Sequence, residues 1–166
     1  MATADYTWPM AALDPSSSAF APVYFLDGTN VDKLVVAFDD TTEEFRVGQV
    51  TIPTDIDTAG NITFRITGHA DTVHATNNLL KATVGYRVVA DTASWDQTYT
   101  DSSQDDFATD GTQDDIDTIT WTLSASGFTA NGLLQFRVSR EVPATSASKL
   151  VGDWYGHTFT IQFPLS

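Results

Sequence analysis

Apolar and polar residues alternate along several stretches of this chain. In Asn61–Ala70 (NITFRITGHA), Ile62, Phe64 and Ile66 take one face, while Thr63, Arg65 and Thr67 take the other. Residues 80–90 repeat the pattern with Leu80, Ala82, Val84, Tyr86 and Val88. Asp117–Ser124 (DTITWTLS) sets Ile119, Trp121 and Leu123 against three threonines. Residues 133–141 (LLQFRVSRE) align Leu134, Phe136 and Val138, and residues 157–163 (HTFTIQF) align Phe159, Ile161 and Phe163. A period of two over such lengths predicts strands with one buried face. Two further strands are predicted over 33–39, an apolar run stopped by Asp39-Asp40-Thr41-Thr42, and over 44–52, a β-branched run ended by Pro53. Val23-Tyr24-Phe25 is the candidate for an eighth.

No segment sustains a helical period. Residues 72–80 have room for one helical turn, but Asn77-Asn78 favours a loop. Polar outer faces argue against a parallel α/β sheet, whose strands are apolar on both sides. The expectation is an all-β, antiparallel two-sheet sandwich of jelly-roll type with 7–8 strands. Phe64, Val84, Tyr86, Trp121, Phe136, Ile161 and Phe163 are expected inward. Before residue 23 the pattern breaks at Trp8-Pro9, Asp14-Pro15 and Ser16-Ser17-Ser18. Residues 1–22 therefore read as an N-terminal arm and 23–166 as the β-sandwich domain. Trp8 and Phe20 give the arm two rings to bury, which makes them the expected contacts with a neighbouring subunit.

Composition agrees with strands and turns. The chain of 166 residues has 25 Thr and 19 Asp but only 3 Glu and 3 Lys, residues that surface helices normally need. With no cysteine, disulfides, thiolate zinc sites, iron–sulfur clusters and cysteine nucleophiles are excluded together. A net charge of −14 argues against nucleic acid or an anionic membrane surface as partner. No apolar run approaches the roughly 20 residues of a membrane span. The first 20 residues lack Lys, Arg and an apolar stretch, so synthesis in a cytosol without a secretory signal is expected.

Candidate chemistry is sparse. Seven Asp lie between Asp101 and Asp117 without a Lys or Arg. Asp105, Asp106, Asp110, Asp114 and Asp115 are the candidates for a hard-cation site, since Ca²⁺ takes six to eight oxygen ligands. The order of an EF-hand is absent, and a solvated acidic loop without metal is the preferred reading. His69, His74 and His157 are the three histidines, and none is spaced for two ligands on one strand face. Phosphate-loop, nucleophile-elbow and zinc-protease motifs are absent, so neither an enzyme nor a cofactor is expected. Trp95, Tyr99, Trp154 and Tyr155 lie in or beside predicted loops, where aromatic rings can stack on sugars, fill a partner's pocket or close the end of the sandwich.

In the C-terminal half, Phe136–Glu141 (FRVSRE), Leu150-Val151-Gly152-Asp153 and the alternating strand through Phe163 follow one another in a recognisable order. This resembles a group of tailed-bacteriophage virion proteins, small jelly-roll domains that decorate capsids or form parts of fibres. The resemblance spans roughly residues 23–163 and implies no catalytic residues. It implies a capsid decoration (cement) protein, a homotrimer bound to a major capsid protein on the virion surface and made in the host cytoplasm. The alternative is a carbohydrate- or host-receptor-binding jelly-roll module of a fibre. Within the matched segment, an ion pair of Arg140 with Asp153 is expected to pin the loop before the last strand, with a solvated Arg140 as the other outcome.

Overall fold

The computed structural model describes residues 2–27, 32–73, 79–90, 92–102, 106–110, 112–141 and 149–166, the side chain of Asp106 apart. Twelve strands appear among them: β1 (Ala2–Pro9), β2 (Asp14–Pro15), β3 (Val23–Asp27), β4 (Asp32–Phe38), β5 (Glu44–Thr51), β6 (Asn61–Ala70), β7 (Leu79–Val89), β8 (Thr100–Asp101), β9 (Asp106–Ala108), β10 (Asp117–Ser124), β11 (Leu133–Arg140) and β12 (Trp154–Leu165). They form two antiparallel sheets packed as a jelly-roll sandwich. The first has the order β10-β6-β12-β4-β3, with β1 also on β12; the second has the order β2-β5-β11-β7-β8, with β9 also on β7.

The alternating residues meet between the sheets as expected. Phe64, Val84, Phe136, Ile161 and Phe163 are fully buried, Trp121 nearly so, and Tyr86 packs half-buried against them. Phe136 stacks on Phe159 at 4.8 Å between ring centres, which joins the two sheets at their middle. Burying each such side chain contributes roughly 1.5–3 kcal/mol.

The first half of the expected arm is a strand of the sandwich. β1 pairs with β12 from Ala2↔Leu165 to Pro9↔Thr158. Ala4, Tyr6 and Trp8 alternate with Thr3, Asp5 and Thr7, so the segment has an apolar face to lay against a free strand edge. Trp8 packs 5.5 Å from Phe136 within its own chain, and Met10 behind it is fully buried. Arg46, in the inward register of β5, holds the rest of the segment through hydrogen bonds to the carbonyls of Leu13 and Ala21. Phe20 stays 52% exposed, in a parallel bridge with Phe45.

Strand β12 carries one irregularity that matters below. Its pairing with β6 runs Trp154↔Ala70, Tyr155↔His69, Gly156↔Gly68 and then jumps to Thr158↔Thr67. His157 is the extra residue of a β-bulge, which re-aims a side chain without ending the strand. Gly68 has to be glycine, because a Cβ there would lie 2.4 Å from the Trp154 ring and from the Tyr155 carbonyl oxygen.

Candidate functional site

The two outer faces of the sandwich carry different chemistry. On the second sheet, Arg137 of β11 donates to both carboxylate oxygens of Asp101, at 2.8 and 3.0 Å. Its guanidinium lies over the rings of Phe45 (4.9 Å) and Tyr99 (5.1 Å). Arg87 lies 4.5 Å over the same Tyr99 ring and donates to Gln135. Lys81 pairs with Glu141 at 3.0 Å, and Thr83 donates to the same carboxylate. The charged and aromatic groups of this face engage one another.

The outer face of the first sheet instead opens into a cleft of about 820 Å³. Leu26 and Asp27 of β3, Lys33 of β4, His69 of β6, and Tyr155 and His157 of β12 line its floor. Asp71, Gln113, Asp114 and Ile116 complete its lining. Its size falls in the usual range of small-ligand sites. Antiparallel pairing explains why these residues meet. Tyr155 lies opposite His69, and the bulge turns His157 to the same outer face.

Across the floor runs a chain of polar contacts. Lys33 Nζ contacts His157 Nδ1, His157 Nε2 lies 2.6 Å from His69 Nδ1, and His69 Nε2 lies 3.6 Å from Asp114 Oδ1. Both imidazoles are almost wholly buried, at 5% exposure for His69 and 8% for His157. Burial pulls the His157 pKa down to about 4, helped by the charge of Lys33 and by His69. Burial also lowers that of His69, with the carboxylate of Asp114 opposing. Both rings are therefore neutral near pH 7. Tyr155, edge-on to His69 at 5.3 Å, has its phenol pKa raised by burial and then by Asp153.

The residues singled out in the sequence fare unequally. Of the acidic set, Asp114 joins the cleft, while Asp110 accepts from the Thr112 amide and Asp115 is exposed. Asp117 accepts from the Asp110 amide at 2.8 Å. Asp105, the side chain of Asp106 and His74 lie outside the described residues. Among the described residues no three of His, Cys, Asp or Glu converge where a metal ion would sit. Arg140, 4% exposed, does not hold Asp153. It donates to the carbonyls of Phe38 (2.9 Å), Gly152 (2.6 Å) and Leu150 (2.6 Å). The loop is pinned through its main chain because a planar guanidinium with five N–H groups suits a ring of carbonyls. Asp153 stays a longer-range neighbour, its pKa raised by burial and by Asp71 and Asp39. Trp154 is a core residue at 1% exposure rather than a loop aromatic, whereas Trp95 is exposed and Tyr155 faces the cleft.

No protein-family model and no curated protein sequence matches the chain. Solved structures do. A xylan-binding module, CBM15, aligns over 99% of both chains at 13% identity and a TM-score of 0.51. The CBM22-2 xylan-binding domain from Paenibacillus barcinonensis Xyn10C aligns over 95% of this chain and 98% of its own, at 7% identity and a TM-score of 0.52. What is shared is the jelly-roll fold. Infectious bursal disease virus, Gx strain, matches at a TM-score of 0.43 and 9% identity, with 32% of the viral chain covered, too distant to carry an argument.

Proposed function

We propose that the protein is a non-catalytic carbohydrate-binding domain that takes a neutral glycan in the cleft of the first sheet. The lining of the cleft carries this reading. The Tyr155 ring with Leu26 and Ile116 supplies apolar surface, beside the carboxylate, amide and imidazole groups of Asp71, Asp114, Gln113 and His69. A sugar presents the complementary surfaces, a C–H face that packs on aromatic rings and a rim of hydroxyls that both donate and accept. Three carboxylates in the lining, Asp27, Asp71 and Asp114, on a chain of net charge −14, disfavour acidic polysaccharides.

Two structures of the same fold are named for xylan, which makes xylan the first polysaccharide to try. Native gels containing xylan, β-glucan, galactomannan or galactan test the reading. At least one should retard the wild-type chain. Tyr155→Ala should abolish the retardation, while Arg137→Ala on the opposite face should leave it. Equal mobility in every gel, or retardation unchanged in Tyr155→Ala, defeats the proposal.

The virion-surface reading, a homotrimer seated on a major capsid protein, draws support from a separate observation. Phe20, Val23, Phe25 and Leu34 are all exposed, the last three on the paired strands β3 and β4 at the edge of the first sheet. Apolar side chains clustered at a sheet edge suit contact between copies. Light scattering behind size exclusion should give three times the chain mass, falling to one in Phe25→Ser/Leu34→Ser. A monomer at every concentration removes this reading.

A further inference from the structure

We propose that the cleft holds one ligand hydroxyl between His69 Nε2 and Asp114 Oδ1, and that Lys33 and His157 set the direction of hydrogen bonding into that slot. The proposal rests on the glycan reading and names the part of the cleft that selects for a free hydroxyl.

The direction follows from the two ends. A lysine ammonium has donors only, so its contact with His157 makes Nδ1 of that ring the acceptor and leaves the proton on Nε2. That N–H points at His69 Nδ1, 2.6 Å away, which must then accept, so His69 also carries its proton on Nε2. A carboxylate, which only accepts, stands at the far end. The last gap, 3.6 Å from His69 Nε2 to Asp114 Oδ1, is too long for a good N–H···O bond. A hydroxyl seated there can accept from the imidazole and donate to the carboxylate. An ether oxygen can accept but has no hydrogen for Asp114.

The side chain of Asp114 is 75% exposed, so it is free to move outward as the oxygen enters. The buried histidines are not free in this way. His157 is held by Lys33 and His69 across strands β4, β12 and β6. A site built on hydrogen bonds to a hydroxyl rejects the analogue lacking it, because its own polar groups are then left unpaired.

Two measurements on the full chain test this. In the ligand-free protein at pH 7, long-range ¹⁵N–¹H spectra should show both rings neutral with the proton on Nε2. Lys33→Met should give mixed tautomers at His157. Titration calorimetry with β-1,4-linked hexasaccharides of xylose, glucose, mannose and galactose should find a ligand for the wild type. Asp114→Ala and Lys33→Met should each lose about ten-fold in affinity for it or more, and its O-methylated form should bind wild type no better than the unmodified sugar binds Asp114→Ala. A proton on Nδ1 of either ring, or a charged His157 at pH 7, overturns the direction even if sugar binds. Wild-type affinity in both variants overturns the slot while leaving the glycan reading intact. A wild type that binds none of the four sugars removes that reading and the slot together.

Discussion

The outer faces of the two sheets begin from the same backbone pattern and end with opposite properties. On the second sheet, Arg137 meets Asp101, Arg87 meets Gln135, and Tyr99 lies against both guanidiniums. On the first, the polar groups run in single file from Lys33 to Asp114, and the file ends in a gap. Charge alone does not make a binding surface. Groups matched to each other are poor at matching a ligand, whereas a row of buried groups that ends in one unmade bond leaves a place for one.

The strongest way to break this contrast is to remove what holds the cleft end together. Arg140→Ala deprives the carbonyls of Phe38, Leu150 and Gly152 of their donor and should destabilise the chain by about 3–5 kcal/mol, read from urea unfolding. Acid should act next, through the first face. The folded pKa of His157 lies near 4, below its ordinary 6.5, so the unfolded chain takes up a proton that the folded chain refuses. Stability should therefore fall as pH drops from about 6.5 to about 4, by an amount on the order of 3 kcal/mol from this residue. Carboxyls raised by burial, such as Glu43 and Glu44, act with the opposite sign. The measurement is thus the difference from His157→Gln, whose profile should be flatter over that window.

Gly68→Ala sharpens the contrast further. Its Cβ would strike the Trp154 ring and the Tyr155 carbonyl, costing about 1–3 kcal/mol in thermal unfolding and disturbing the cleft floor. The smallest effect belongs to the second face. Arg137→Ala breaks a partly exposed pair, and denaturant midpoints should show a loss within about 1 kcal/mol. A larger loss than that of Gly68→Ala would mean that the second face, too, is built for rigidity.

The sandwich was legible because burial on one face imprints a period of two. β6, β10 and the inward positions of β7, β11 and β12 follow it closely. β1 is less legible: Ala4, Tyr6 and Trp8 alternate, but Pro9 and the serines at 16–18 are breakers that interrupt any longer period. Without pairing information, nothing marked residues 2–9 as the edge partner of a strand about 150 positions away.

The cleft was less legible. His69 and His157 are 88 residues apart, and only the pairing of β6 with β12 makes them neighbours. Counting back by twos from Phe159 would even place His157 among the core residues. Arg140 reaches the loop before β12 through the carbonyls of Leu150 and Gly152, and no sequence pattern distinguishes a carbonyl from a carboxylate as its acceptor.

The bulge at His157 also bears on how such a site is acquired and lost. Without that residue, Trp154, Tyr155, Gly156, Thr158 and Phe159 would alternate without interruption, and Gly156↔Gly68 would be followed directly by Thr158↔Thr67. The ladder has no use for position 157. One codon, inserted or deleted, separates a plain strand from one that carries the middle link of the polar file. The proposed slot thus hangs on a single residue, while the sandwich beneath it keeps its register without it.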